Sequence, residues 1–482
     1  MSERLIVFAI FLLVTILPLF WSFRSRRRIF QFPTIISLTT LGFLAPQVVT
    51  CILHEDVVDG EAYFVTMING ILCMIAAPIA YIEFKTPKLR KRTAQLDPNR
   101  IIQFGLFLVV VGTLAHLGMD IIYYKKFMGL YMNEGQYATK WEGLPVAFYF
   151  FYRLCYPGLM VYVFGIMCVP RRGWHWVGLA FCLVYPILDI TLLGRREAII
   201  VVCGSFALPM FYVKLWTPKW WMVITGGVLA ALMIMILPSY RKYFAYDADH
   251  MKVFQVDPVE KFLEQYNRSA TLNLELAYHV HTTGAIYKEN GYGYGIDFYN
   301  SVIKEFVPSL LVGRSRKNAM FAPGVDPEGA VARVYGLSHA GRRWLMEPGI
   351  CESFWQFSFF GFILWMLVAF WCKFMYDRAV RDRSMSYALY SCMLGWLPAS
   401  VVIQGFLPII KISILVTTFF FILRWYSRIP APVVPATRSG NSGRSKKPIL
   451  PPEASPSSTT RVIRPALSRR PSLAGNRSLS RR

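Results

Sequence analysis

Leu5-Ile-Val-Phe-Ala-Ile-Phe-Leu-Leu-Val-Thr-Ile-Leu-Pro-Leu-Phe-Trp-Ser22, followed at once by Arg24-Ser-Arg-Arg-Arg28, decides the class of this chain. A helix needs about 20 mainly apolar residues to cross ~30 Å of hydrocarbon at ~1.5 Å of rise per residue. The run has a weak basic start at Arg4 and no small-residue cleavage site before the arginines, so it reads as a retained span, not a removed leader. Runs of the same kind recur at about 34–53, 62–82, 101–123, 145–169, 175–193, 197–213, 220–238, 353–372, 386–403 and 406–424, making eleven with the first. The pairs 175–193/197–213 and 386–403/406–424 are tight hairpins, and either is compatible with a partly re-entrant path.

The composition agrees. Of 482 residues, 55% are hydrophobic, 16% aromatic and only 17% charged, and the mean hydropathy is +0.40. A soluble enzyme of this length, a secreted disulfide scaffold and a disordered protein are excluded for the bulk of the chain. The net charge of +24 suggests nucleic acid until the charges are placed. From Arg424 onward there are thirteen basic residues and one acidic residue, Glu453, and most of the remaining excess lies in short loops between apolar runs. That is a topological pattern and not a nucleic-acid footprint.

Arg24–Arg28, the Lys85–Arg100 loop, Arg171-Arg172, Lys214/Lys219, Lys373–Arg383 and the tail fall on one side of this eleven-span count. The positive-inside bias makes that side cytoplasmic, with the N-terminus periplasmic and the C-terminus cytoplasmic. The fold expected is an all-α polytopic membrane protein of about eleven transmembrane helices. Residues 1–238 hold spans one to eight, 239–352 form one large extracytoplasmic helical segment, 353–427 hold spans nine to eleven, and 428–482 form a disordered basic cytoplasmic tail. The nine cysteines are an odd number, eight of them in or beside apolar runs, so they predict buried inert thiols and no disulfide framework.

Within 239–352, Asp257-Pro258-Val-Glu260 is a helix start, and Phe262, Tyr266, Ala270, Leu274, Ala277 and Val280 follow at helical spacing. This predicts a surface helix whose polar face carries Asn267, Arg268, Glu275 and His279. Gly291-Tyr-Gly-Tyr-Gly295 ends it, and a second amphipathic stretch runs from Ile296 to Val307 and stops at Pro308. Arginine stands out on this side: Arg195, Arg196, Arg241, Arg268, Arg314, Arg316, Arg333, Arg342 and Arg343 run against the positive-inside trend. Its guanidinium suits bidentate contact with phosphate and stays charged. Pairing with Asp247, Asp249, Glu260, Glu275 and Glu305 is the competing use of the same charges. For Arg195 and Arg196, in a tight turn between spans, function is favoured because charge at membrane depth needs a reason. Asp120, Asp189 and Arg153 are further intramembrane charges, with Arg153 a substrate-site candidate.

Three stretches, together with the long outer segment between spans, resemble the bacterial oligosaccharide-repeat-unit polymerases of the O-antigen and exopolysaccharide polymerase family. Leu193-Gly-Arg195-Arg196-Glu-Ala-Ile-Ile is similar to the family's arginine turn leading into an apolar helix. Tyr299-Asn-Ser-Val-Ile-Lys-Glu-Phe-Val-Pro308 with Arg314-Ser-Arg-Lys317 resembles its helix, proline and basic segment, although Ser309 stands where the family has arginine. Glu347-Pro-Gly-Ile-Cys-Glu352-Ser-Phe-Trp-Gln-Phe-Ser-Phe-Phe-Gly361 looks like its lead into a late span, with Gln356 and Ser358 near the usual asparagine. The resemblance covers about 190–372. It implies a GT-C-like glycosyltransferase of the inner membrane that joins polyprenyl-diphosphate-linked oligosaccharides at the outer face. Membrane lipid is its setting, a chain-length regulator protein is a partner left open, and no nucleic acid is involved.

On that reading Arg195, Arg196, Arg241, Arg268, Arg314, Arg342 and Arg343 hold the leaving diphosphate, and His339 or Glu352 takes the acceptor proton. No cofactor or metal is called for. Asp247-Ala-Asp249 lies on the wrong side for a nucleotide sugar, and His279-x-His281 places its rings on different faces of a helix. Glu55-Asp56 is most simply an external acidic loop. Walker, dinucleotide, zinc and nucleophile-elbow patterns are absent from the sequence. The alternatives are a ligase moving a lipid-linked glycan to an acceptor and a non-enzymatic transporter or flippase of such lipids. The missing repeat symmetry weighs against the last.

Overall fold

The structure is a computed structural model. It describes residues 2–53, 55, 58–82, 96–119, 121, 148, 151–170, 172–191, 196–229, 275–307, 312–336, 347–395 and 397–428. Among them there is no strand, only an isolated bridge between Leu96 and Arg428. Met1–Pro430 form one compact unit, and the tail expected from 428 onward lies outside the described residues beyond Arg428.

The first helix, α1 (Ser2–Phe23), shows how the sequence partitions between lipid and protein. Leu5, Ile6, Ile10, Leu13, Leu17 and Phe20 are exposed, while Phe11, Thr15, Pro18 and Ser22 are buried. The outward stripe is the more apolar one, as a lipid solvent requires. The inward stripe uses small and hydroxyl residues whose O–H groups return to the backbone, Thr15 to Phe11 O at 2.7 Å and Ser22 to Leu19 O at 2.7 Å.

α2 (Phe32–Thr39) and α3 (Ala45–Leu53) are one span interrupted by a π-helical stretch, Thr40–Leu44. The span α4 (Gly60–Ala76) then begins, with Asp59 capping it through the Ala62 amide at 3.3 Å. α5 (Pro98–Gly118) packs antiparallel on α6 (Cys155–Cys168) through glycines. A Cβ on Gly112 would lie 2.8 Å from the Cys155 nitrogen, and one on Gly158 2.9 Å from the Val109 nitrogen. Gly105 and Gly165 stand as closely against Tyr162 and Ile102. Two glycines per helix therefore let the backbones touch, the usual way membrane helices gain packing without a hydrophobic drive.

α7 (Gly173–Thr191), α8 (Arg196–Lys214) and α9 (Trp220–Leu229) complete the N-terminal half. After it come α10 (Glu275–Glu289), α11 (Ile296–Phe306), α12 (Arg314–Ala319), α13 (Pro327–Tyr335) and α14 (Gly349–Phe357). The last spans are α15 (Phe362–Tyr376), the pair α16 (Met385–Met393) and α17 (Leu397–Gln404), and α18 (Leu407–Ser427).

Seven apolar helical runs among the described residues are long enough to cross a membrane: Ser2–Phe23, Phe32–Leu53, Gly60–Tyr81, Pro98–Gly118, Gly173–Thr191, Gly349–Arg381 and Met385–Gln404. Cys155–Cys168, Ala198–Lys214, Trp220–Leu229 and Ile412–Ser427 occupy the other four expected positions with only 10–17 residues each. Among the described residues, seven of the eleven expected spans are therefore full-length. α6 and α9 adjoin residues outside the described set, at 149–150 and from 230.

The helices alternate in direction, and their contacts sort the loops into two ends. At one end the Arg4 guanidinium donates to Cys51 O at 3.3 Å and Val58 O at 2.8 Å, joining the start of α1 to the end of α3 and the approach to α4. At the other, Arg28 donates to Trp21 O at 2.9 Å, Trp21 packs edge-on against Tyr81, and the Asp97 amide donates to Ser427 O at 2.8 Å. Phe211 joins them, 4.7 Å from Phe30 and 6.2 Å from Tyr376 between ring centroids. The described basic residues of the expected cytoplasmic loops thus gather with Arg28, and the N-terminus and the Asp59 region lie at the opposite end.

The outer segment departs from expectation. α10 is not a surface helix: Leu276 through Ala285 are all buried, His279, His281, Thr282 and Thr283 included. The Leu276 amide donates to Gln47 of α3 at 3.1 Å, and Gly284 sits against Ala62 of α4. In a lipid-facing bundle, small and hydroxyl residues face other helices, so the polar face that a soluble protein would expose turns inward. The boundary expected at 352/353 also falls inside α14. The break comes at Ser358, in the left-handed region at φ 55°, after which the start of α15 folds back on α14 and Trp365 Nε1 donates to Ser353 Oγ at 3.4 Å.

Candidate functional site

Among the described residues, three clusters of polar side chains stand out. The first surrounds the start of α4. Asp59 accepts from Lys288 Nζ at 3.1 Å and from the Tyr335 hydroxyl at 2.9 Å, and Glu61 lies 3.4 Å from the same Lys288 nitrogen. Burial raises the Asp59 carboxyl, but the bonds from Lys288, Tyr335 and Ala62 outweigh it and hold the group below its ordinary range. Burial, and then the bond to Asp59, push Tyr335 up to about 12. One turn along, Arg333 grips Glu289 with two bonds of 2.8 Å and lies 3.6 Å from Asp326, which keeps Glu289 ionised. These contacts tie α10 and α13 to the mouth of α4. The cations in them already have carboxylate partners.

The second cluster is built on α14. The glycine turn 291–295 docks on its end, with the Gly293 amide donating to Trp355 O at 2.9 Å and the Tyr294 amide to Gln356 O at 2.8 Å. Those carbonyls would otherwise be orphans at a helix C-terminus. Gln356 accepts from the Gly295 amide at 3.0 Å and donates to Asp297. Burial raises the Asp297 carboxyl above its ordinary value against the lowering pull of Gln356 and the Val325 amide. Glu352 is 1% exposed and accepts from the amides of Phe406 and Leu407, the latter at 3.0 Å. Its carboxyl therefore serves as the N-terminal cap of α18. Gly405, at φ 75°, has no room for a side chain beside it.

The third cluster joins α5, α6 and α7 near the Arg4 end. Asp189, 2% exposed, accepts from the Tyr156 hydroxyl at 2.5 Å and lies 3.9 Å from His116 Nε2. The imidazole stacks on Tyr185 at 4.4 Å and meets Tyr152 edge-on at 5.0 Å. Asp189 precedes the end of α7 by two residues, and Arg196 is the first residue of α8. The buried acid and imidazole therefore sit where α5 and α7 end and α6 begins.

The expected site residues fare unevenly. Arg195, Arg241, Arg268, His339, Arg342 and Arg343 lie outside the described residues, as do Asp247 and Asp249. Arg196 is described only as the first residue of α8. Arg314 opens α12 and is exposed, next to Arg316 and to Lys317, whose Nζ donates to Lys304 O at 2.8 Å. Nothing in these positions brings Arg314 to Glu352. His279 faces Trp355 and His281 faces Tyr335, on separate neighbours. None of the nine thiols is in a disulfide; Cys203 is exposed where a buried position was expected.

His116, Tyr156, Lys288 and Tyr335 were not expected from sequence. Each is an isolated polar residue in its own segment, and only the packing of separate helices gives it a partner. Comparison with protein families, with curated proteins and with solved structures found no match.

Proposed function

We propose that this chain polymerises polyprenyl-diphosphate-linked oligosaccharide units, by glycosyl transfer at the membrane face to which its Arg4 end is turned, the outer face of a bacterial inner membrane. The observation that carries this reading is the gathering of buried polar groups at the end opposite the basic loops, where α7 closes with Asp189 in its last turn. The motif resemblance of 190–372 supports it. Arginines at this face, Arg195, Arg196, Arg241, Arg268, Arg314, Arg342 and Arg343, stabilise the charge that grows on the departing diphosphate, a task needing fixed cations in a site of low dielectric. The anomeric carbon passes through an oxocarbenium-like state as the acceptor hydroxyl attacks. Of the two bases suggested by sequence, His339 is outside the described residues, and Glu352 would have to release two backbone amides before acting.

A second reading has its own support. α14/α15 and α17/α18 are broken at Ser358 and Gly405 around a buried glutamate, the kind of interruption that transporters place in their spans. Ligation of a finished glycan to an acceptor needs nearly the same residues as polymerisation.

The glycan of a deletion strain and of Arg196→Ala separates the three. Loss of the polymer ladder with single units still reaching the surface is the expected result. Polymer retained on its lipid carrier indicates a ligase, and units trapped inside the cell a flippase. An unchanged pattern in both strains ends the saccharide reading.

A further inference from the structure

The geometry points to His116, oriented by Asp189, as the proton acceptor of the transfer step, with Tyr156 anchoring the pair. This rests on the proposed glycosyl transfer and names the group that performs its acid–base half. Three facts converge. His116 lies in the last turn of α5, so positive charge arriving on the ring meets the C-terminal carbonyls of that helix. Asp189 faces the same ring at 3.9 Å and is itself held by Tyr156 at 2.5 Å. The imidazole is fixed on two sides, by Tyr185 from α7 and Tyr152 from the segment before α6.

A carboxylate that orients a histidine, and is in turn held by a hydroxyl, is the arrangement that makes imidazole an effective base. A buried acid and histidine on membrane helices need such a reason to be there. Asp189 is here a positioning residue.

The step balances without a co-reactant. The acceptor oxygen forms its bond to the anomeric carbon as the bond from that carbon to the diphosphate oxygen breaks, and the electron pair leaves with the diphosphate. The hydroxyl proton passes to His116 and from there to water at that face. The titratable groups that face His116 or its partner Asp189 are Asp189 and Tyr185 from α7 and Tyr152, Cys155 and Tyr156 from the α6 side.

The test uses the full chain in proteoliposomes, with lipid-linked units extracted from cells deleted for it as the probe. His116→Ala should lower kcat by roughly 10²–10⁴ with KM little changed, and added imidazole should restore part of the rate. Asp189→Asn should lower kcat less, and Tyr156→Phe least. A His116→Ala chain as fast as the native one overturns the assignment, and so does a slow, folded variant that imidazole does not rescue. Should the alanine variant fail to fold, Asp189→Asn with native kcat overturns it. The native chain also decides alone: its rate should fall toward acid as the imidazole takes up a proton, and a rate independent of pH overturns the proposal. No polymer from the native chain refutes the glycosyl-transfer reading itself, a result distinct from polymer made equally well without His116.

Discussion

Glu352 gives the sharpest test of how the bundle is held. Its two oxygens accept from the amides of Phe406 and Leu407, the opening donors of α18, while Pro408 in the same turn has no donor to satisfy. The site is 1% exposed, so water cannot replace a lost acceptor. A buried amide left without an acceptor costs about 1–3 kcal/mol. Glu352→Ala strands two amides and should destabilise by about 2–6 kcal/mol before any cavity cost. Glu352→Gln keeps one oxygen and turns an NH₂ group toward the other amide, for about 1–3 kcal/mol. The readout is thermal unfolding in detergent together with polymer formation by the same preparations. As a cap, Glu352 should show melting temperatures in the order native, Gln, Ala, with activity falling in step. A Gln variant that melts with the native chain yet makes no polymer would refute the cap and restore the catalytic role expected from sequence.

Other perturbations follow from the same contacts. Gly158→Leu places side-chain atoms where Val109 of α5 already lies, with backbone 2.9 Å from the first carbon, and should cost more than the ~1–3 kcal/mol of ordinary overpacking; folded yield after detergent extraction reads it, with Gly42→Ala as a silent control. The Asp59 carboxyl is depressed in the folded chain, so its contribution is full above the unfolded pKa and is lost as pH falls below about 4. Asp59→Asn should therefore flatten the acid limb of a melting-temperature profile. Lys288 is raised, so its share is lost only at alkaline pH, above its ordinary 10.5. Arg333 is exposed and already paired with Glu289 and Asp326, so on the proposed function Arg333→Ala should leave the polymer ladder intact while Arg196→Ala should abolish it.

The spans were legible in the sequence because lipid imposes length and apolarity on each one separately, and α1, α4, α5 and α7 need no partner to be recognised. The grouping of basic loops at one end was equally legible, since charge in short loops is a local property. The second amphipathic stretch, expected from Ile296 to Val307, is the helix Ile296–Phe306. What escaped was everything set by contact between helices. Gly105, Gly112, Gly158 and Gly165 read as ordinary apolar-run glycines until their facing backbones are known. His279 was assigned to a polar surface by a rule made for water, whereas here it is buried beside Trp355. Asp189 was noticed as a charge out of place; its partners His116 and Tyr156 sit 73 and 33 residues away and carry no signal of their own.

The two ends of the bundle also bear on whether the proposed saccharide chemistry belongs to one face or is replaced by transit across the membrane. The polar clusters around Asp59 and Asp189 lie at the Arg4 end, whereas at the Arg28 end rings pack between helices, Trp21 on Tyr81 and Phe30 and Tyr376 on Phe211, with the bonds of Asp97 to Ser427 and of Tyr426 to Gln103 at the α5–α18 edge. A sugar crossing the bundle would have to part these rings and leave its hydroxyls without partners there, each at about 1–3 kcal/mol. Chemistry confined to the opposite end leaves the stack undisturbed. Phe211→Leu removes the ring shared by both contacts and keeps an apolar side chain in its place. With a one-face reaction, the ladder should keep its amount and length distribution, and the chain should lose only packing stability. If repeat units pass through the bundle, the same change should alter how fast they appear at the far surface, measured by labelled single units in whole cells. A changed rate of appearance with an unchanged chain-length distribution would refute the one-face argument and favour transit.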